Sequence, residues 1–427
     1  MNHHVATPDD SPPVGAPARP PDDAGAARRM RRLFATVPFA SACPQWAYGS
    51  VSYFAALQVQ SFDSVHKVEK LALVHAGIAI ASMVAQPIIG VLSDRTRTRF
   101  GARTPWMLAG VLVGSLGLVA AGVSTSVAML LLAAIVAHVG FNAFGGPFSA
   151  IQPDRIPLPR RGRYSALAGL GTITAGILGP AVGSTFATRI PLGYLLVAAV
   201  TLVVVTIFLV LNPDADNRGV PRPAFASADF LKAFWVNPIR HPDFFWVFMG
   251  RFLICGGYYM IMTFQLYISE DYIGLSVHQA IHLTPVLSIA SLPGMLLAIA
   301  IAGPLSDRIG RRKPIVLVGG LVIAASALVP IAFPTVPGLI GSIVVLAIGF
   351  GIFLSVDQAL VTQVLPNPDS AAKDLGIINI AATLPNVIAP MTAAAIVTAF
   401  GGYGALYPAV ALVAGIGALA ILPVRTR

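Results

Sequence analysis

Long apolar runs alternate with short polar breaks along the chain. Residues 33–62, 71–93, 164–188, 190–213 and 272–306 contain no Asp, Glu, Lys or Arg. Residues 252–269 form a sixth run, which reaches back to 244 if Arg251 is admitted. Each run holds a helix of about 20 residues, the length that crosses roughly 30 Å of hydrocarbon. Residues 104–153, 314–356 and 375–424 are long enough for two spans each, with turn-like breaks at GVST, FPTVPG and FGGYG. Six single runs and three double ones predict twelve transmembrane helices. A sheet edge cannot satisfy its backbone in lipid, and no strict alternation suggests a β-barrel, so the expected fold class is an all-α membrane protein.

Composition agrees. The chain of 427 residues is 56% apolar and 11% charged, against about 25% charged for soluble domains. Its two cysteines, Cys43 and Cys255, sit in apolar runs and suggest neither a disulfide framework nor a metal site. The net charge of +10 would suit nucleic acid as a partner, but its placement argues otherwise. With twelve spans, 24 of the 28 Lys and Arg fall on the side holding both termini. Lys67, Lys70 and Arg189 fall on the other side, and Arg251 lies within a span. That bias predicts cytoplasmic termini in a cell membrane, with anionic lipid headgroups as the natural partner and no nucleic acid.

Residues 1–30 form an expected disordered tail, rich in Pro, Asp, Ala and Gly, without the order of a signal peptide. The cluster Arg28–Arg32 marks the start of the first helix. Residues 31–211 and 243–427 are the expected six-helix bundles. Between them lies a linker, 212–242, with five prolines and an amphipathic patch, ADFLKAFW, suited to the membrane surface.

One motif is written twice. GVLSDRTRTRFGARTP starts at Gly90, and GPLSDRIGRRKP starts at Gly303. Gly90, Ser93 and Asp94 match Gly303, Ser306 and Asp307 at an offset of 213. After four extra residues in the first copy, Gly101 and Pro105 match Gly310 and Pro314 at 209, an offset that persists through GF at 140 and 349. The halves therefore read as one six-helix unit used twice, with a site between them. Each copy links the second and third spans of its half. Its glycine permits close helix approach, and its proline suits the first turn of the next helix. Asp94 with Arg103, and Asp307 with Lys313, are expected to form polar latches. Arg95, Arg308, Arg311 and Arg312 complete the basic runs, which can also meet headgroups.

This repeated pattern with six and six spans resembles the major facilitator superfamily, over nearly all of residues 30–425. The longer first copy is similar to the loop of the glycoside–pentoside–hexuronide cation symporters and sucrose-transporter-like proteins. Ala102 and Thr104 stand where that branch often has basic or polar residues. The resemblance implies a solute porter working by alternating access. It also implies that spans 1, 4, 7 and 10 line the cavity and that the loop acid stabilises one conformation.

Polar groups inside apolar spans are functional candidates. Arg251 and Asp357 sit at similar depth from the same side of the membrane and are expected to pair. The pair reads either as a fixed structural contact or as a gate or proton-coupling couple. His138 can titrate near neutral pH and is a candidate proton carrier; packing is the plainer reading, and His75 is similar. Gln45, Trp46, Asn142, Tyr258 and Tyr259 are candidate solute contacts, since aromatic faces and amides suit a sugar-like molecule. Tyr53 and Tyr267 are expected at the lipid or aqueous edge. Asn379, Thr383 and Asn386 suit helix packing. GPAVGS, Gly179–Ser184, partly matches an element of drug/proton antiporters and leaves export open.

No phosphate-cradling loop, zinc spacing or nucleophile elbow is present, so neither ATP drive nor an enzyme is expected, and no cofactor. The expected function is secondary transport of a small organic solute. Proton- or sodium-coupled uptake of a sugar-like molecule by a monomer is favoured over proton-coupled efflux of drugs or metabolites.

Overall fold

A computed structural model describes residues 23–219, 240–364, 380–381 and 383–425. The first half holds α1 (Asp23–Phe62), α2 (Lys67–Arg95), α3 (Thr104–Gly122), α4 (Val127–Arg155), α5 (Arg161–Ser184) and α6 (Ile190–Leu211). The second holds α7 (Pro242–Thr263), α8 (Val277–Ile309), α9 (Lys313–Ser326, resuming as Leu328–Ala332), α10 (Val336–Gln363), α11 (Pro385–Ala399) and α12 (Leu406–Leu419). Nine helices among the described residues are long and apolar enough to cross a membrane. The longer, partly polar α1 and the shorter α11 and α12 complete the twelve. No strand occurs among the described residues.

The breaks fall where the sequence placed them. Ser126 caps α4 by accepting from Met129 N at 3.3 Å, and Thr335 caps α10 by accepting from Gly338 N at 3.3 Å. These caps stand at the same repeat offset of 209 and satisfy helix-end donors that have no intrahelical partner.

Packing repeats as well. α1 rests on α5 and α6, α3 on α4 and α6, and α2 on α4. α7 rests on α11 and α12, α9 on α10 and α12, and α8 on α10. Adding six to each label of the first set yields the second. The halves meet through α2 on α11 and α5 on α8, a pair that also interchanges under the repeat.

Close approach within each half comes from glycine, but not from the motif glycines. A Cβ on Gly110 would lie 2.7 Å from the Gly140 carbonyl oxygen; one on Gly319 would lie 3.1 Å from that of Gly349. Both pairs obey the 209 offset. Around Gly90 and Gly303 a Cβ would meet nothing within 4 Å, so the expectation that they admit a neighbouring helix is corrected. Outward, Leu116, Leu132, Val210 and Ile289 are largely exposed. In water such a surface would aggregate; in lipid it is matched to its solvent.

Two expected boundaries move. α1 begins at Asp23, so residues 23–30 belong to its first turns, as their alanine content favours. Residues 212–219 are not a slack linker, because Asn212, Asp214 and Asn217 are hydrogen-bonded into the first half. The patch ADFLKAFW, residues 1–22 and Asn379 lie outside the described residues.

Candidate functional site: an inter-half cavity and its polar fastenings

The first latch centres on Arg103, the residue before α3. Its Nη1 pairs with Asp94 Oδ1 and donates to Ser93 Oγ at 3.1 Å, and its Nε donates to Asp154 Oδ2 at 3.2 Å. Asp214 completes the cluster. One carboxylate oxygen accepts from the Arg103 N–H at 3.1 Å, and the other from Arg155 Nη2 at 2.6 Å. The ends of α2, α3, α4 and α6 are thus tied at one point. Sequence reading found Asp94 and Arg103 but missed Asp154, Arg155 and Asp214, whose separations along the chain carry no local signal.

The second copy departs from expectation. Lys313 does not reach Asp307: its Nζ donates to the carbonyl oxygen of Leu422, and to that of Val424 at 3.0 Å. Arg312, which occupies the repeat position of Arg103, donates to the Ala359 carbonyl oxygen at 2.5 Å. Asp307, Arg308 and Arg311 are exposed, and Asp307 has no ion pair among the described residues. The reason is length. Gly310, in the left-handed region at φ +67°, ends α8, and only Arg311 and Arg312 precede α9. Between its acid and Arg103 the first copy has four more residues than the second has between Asp307 and Arg312, and its loop is fastened by Asn217 to Thr96 O at 2.9 Å and by Trp106 Nε1 to Thr96 Oγ1 at 2.7 Å. Arg95 closes α2 beside this loop.

Between the halves lies a cavity of about 640 Å³, lined from both halves. Gln45, His138, Asn142, Tyr258 and Tyr259 line it, as do His75, Gln86, Thr383 and Asn386. Trp46 does not. One residue beyond Gln45 turns the helix by about 100°, and Trp46 is partly buried against the hydrophobic core. Trp46 is therefore corrected from solute contact to packing residue. Gln86 was missed, though His75, Ser82 and Gln86 recur on one helical face of α2. No Asp, Glu, Lys or Arg lines the cavity among the described residues.

The lining is braced by stacked rings. Tyr48 stacks on His138, with centroids 4.6 Å apart, and Tyr258 on Phe350, 3.8 Å apart. Two helical turns from the second stack on α7 and α10, Arg251 Nη1 lies 3.0 Å from Asp357 Oδ2. Both side chains are nearly buried. The pair lies within the second half and joins its helices, so it cannot by itself bolt one half to the other. The Arg251 Nε, buried as well, has no hydrogen-bond partner among the described residues.

A second fastening, absent from the sequence reading, closes the end remote from the latch loops. Lys67 Nζ lies 2.9 Å from Asp271 Oδ1 and 3.3 Å from Glu270 Oε2. Gln60 donates to Glu270 at 2.8 Å, and Tyr267 OH to the Ala56 carbonyl oxygen at 2.7 Å. Tyr267 is fully buried and Tyr53 nearly so, which corrects their expected lipid or edge positions. The change of helix geometry after Thr263, through Gln265–Tyr267 into a π turn at Ile268–Tyr272, turns Tyr267 and Glu270 inward.

Comparisons with known proteins agree with this architecture. No curated protein matches the chain. Its fold is similar to a nucleoside transporter, NupG, at 14% identity and a TM-score of 0.73, covering 92% of this chain and 100% of that one. It is also similar to a peptide transporter, POT, solved with sulfate, at 15% identity and 0.71, covering 92% and 94%. A D-xylose–proton symporter matches at 17% identity and 0.65, covering 90% and 96%. The family profile described as Major Facilitator Superfamily matches residues 39–300 and 247–427. With both halves matched, the chain belongs to the Major Facilitator Superfamily and is a membrane transporter, not an enzyme.

Proposed function

We propose that the chain carries a neutral, polyhydroxylated solute of sugar-like size across the cell membrane by alternating access, with uptake driven by a proton or cation gradient. The observation that carries this reading is the cavity lining: amides, hydroxyls and aromatic faces from both halves, with no fixed charge among the described residues. A charged solute would be desolvated there without a counter-charge, at a cost of several kcal/mol. A neutral polyol replaces its water by bonds to Gln45, Asn142 and Asn386 while Tyr258 meets its C–H face. The seal around Lys67 and Glu270 at one end supports a solute path toward the latch end, the cytoplasmic side by the distribution of basic residues. Residues 31–211 and 243–427 act as the two rocking bodies of a monomer. The Asp94–Arg103 latch and its counterpart at Asp307, which has no ion pair among the described residues, weight the conformations differently. Arg251 and Asp357 are either a structural pair or a coupling couple.

A second reading, proton-coupled efflux, draws on the GPAVGS segment, where Gly179 sits against Gly49 and a Cβ would meet its Cα at 3.0 Å. Right-side-out and inverted vesicles decide between the two. The expected result is gradient-driven accumulation of a neutral sugar in right-side-out vesicles, with charged solutes excluded. Accumulation of cationic drugs in inverted vesicles alone overturns the uptake reading.

A further inference from the structure

We propose that the coupling ion is a proton, and that it is held in the first half by His75 and His138, with α1 as the element that senses it. This rests on the transport reading above and names its coupling site. In a cavity without fixed charge, these two imidazoles are the lining groups among the described residues that can take up a proton. They stand on different helices, His75 on α2 and His138 on α4, and both are gripped by one face of α1. Tyr48 stacks on His138 with rings 18° from parallel, and one turn later Ser52 Oγ lies 3.4 Å from His75 Nε2.

The hydrogen bonds assign the tautomer. His138 Nδ1 lies 3.0 Å from the Ala134 carbonyl oxygen, an acceptor, so Nδ1 carries the proton of the neutral ring. Nε2 is then the free base, and a proton arriving from the cavity binds there. The resulting imidazolium rests on the face of Tyr48, where a cation is favoured by the ring quadrupole. His75 titrates through the same Ser52 contact, with the hydroxyl donating to the neutral ring and accepting from the charged one.

Apart from each other, the two rings share the lining with no fixed charge among the described residues. With them stand Tyr48 and Ser52 from α1, Asn142 from α4, Tyr258 and Tyr259 from α7, and Asn386 from α11. α5, α8 and α10 contribute no Asp, Glu, Lys or Arg to the lining. The nearest acid–base couple, Arg251–Asp357, is closed on itself off the lining of the second half. One charge on either imidazole therefore changes the cavity from neutral to cationic. That favours water and solute hydroxyls around Nε2 and opposes closure onto the apolar side. A bound solute hydroxyl donating to Nε2 competes with the proton, so solute and proton are linked through one nitrogen.

Two measurements test this on the full chain. In proteoliposomes, radiolabelled D-xylose, sucrose and uridine are followed both in equilibrium exchange and in accumulation driven by a pH gradient. For the double variant His75→Gln, His138→Gln, gradient-driven accumulation is expected to fall about 10-fold or more relative to that variant's own rate of exchange. His278→Gln, an exposed histidine at the far end of α8, serves as control and changes neither. Accumulation retained by the double variant overturns the proposal. The second measurement needs no solute. Diethylpyrocarbonate acylates only neutral imidazole, and mass spectrometry reads each histidine separately. Reaction at His75 and His138 is expected to fall as pH drops from about 7 to 4. Reaction that stays flat across that range, or is absent throughout, overturns it. A wild-type chain that neither exchanges nor accumulates any probe sinks the transport reading instead, while the acylation profile still decides the proton site.

Discussion

At the loop end of the first half, a carboxylate caps the start of α3: Asp214 accepts from the Arg103 N–H while Arg155 holds its other oxygen. At the same place in the second half, an ammonium group fastens the turn that follows α12, where Lys313 donates to the carbonyls of Leu422 and Val424. The two solutions have opposite sign. Asp214 meets the positive end of α3, whereas Lys313 satisfies carbonyls of the turn beyond α12. The repeated backbone plan therefore requires that orphaned end groups be satisfied, not that an acid–base latch be formed. The second half keeps its ion pair inside instead, as Arg251–Asp357. At the repeat position of Asp357, the first half has Phe148, buried in its core.

Removing one member of that internal pair is the severest way to break the comparison. Arg251→Met leaves Asp357 buried and unpaired, at an expected cost of about 3–5 kcal/mol in detergent unfolding. The double variant Arg251→Met, Asp357→Leu makes the second half apolar there, as the first half is, and is expected to recover most of that loss. If the double variant is as unstable as the single one, the pair contributes net stability and the analogy with Phe148 fails.

Next come the matched turn glycines. Gly101 and Gly310 have φ of +81° and +67°. Gly310→Ala meets nothing within 4 Å, so only the strain of a left-handed residue remains, about 1–2 kcal/mol. Gly101→Ala places a Cβ 2.4 Å from the Asp214 carboxylate and dislodges the cluster as well. Its cost is expected to be about twice as large. Equal shifts in melting temperature would show that Asp214 contributes nothing. Arg103→Gln should cost about 1–2 kcal/mol, because both partners, Asp94 and Asp154, are roughly half exposed and such pairs are individually weak. Arg312→Gln loses one bond to a carbonyl and should cost about 1 kcal/mol or less.

The sequence disclosed the fold more fully than the fastenings. Twelve spans followed from charge-free runs, and the halves from an offset that also places Gly110 beside Gly140 and Gly319 beside Gly349. Arg251 and Asp357 were legible because charges in an apolar run must be compensated, and their depths from one surface coincide. Asp154, Asp214 and Glu270 were not legible. They stand at or just past helix ends, where a solvated polar residue needs no partner, and only the fold brings them to Arg103 or Lys67. The Asp307–Lys313 expectation failed because a shared motif was read as a shared contact, although a turn four residues shorter cannot fold its base back over its acid.

The smallest effect separates the loops at the other end. Between α1 and α2, Asp63 accepts from the backbone N–H of Val65 at 3.1 Å and of His66 at 2.9 Å, and it pairs with Lys70. Between α7 and α8 a neutral capping box does the same work, with Ser276 accepting from Gln279 N at 3.3 Å and Gln279 Oε1 accepting from Ser276 N at 2.9 Å. Bonding to Lys70, and then to the His66 N–H, holds the Asp63 carboxyl well below its ordinary value. A carboxyl depressed in the fold stabilises it above the unfolded value, about 3.9, and loses that contribution as pH falls toward the folded one. Acidification below about pH 4 should therefore loosen the first loop and leave the second unchanged. Amide exchange, corrected for intrinsic rates, should rise at residues 64–67 and stay level at 275–278. Asp63→Asn should show the looser first loop already at neutral pH, since the amide keeps the backbone acceptor but loses the pair with Lys70. If both loops loosen together on acidification, the cause is a general opening of the far-end seal at Glu270 and Asp271, and the charged loop is no more acid-sensitive than the neutral one.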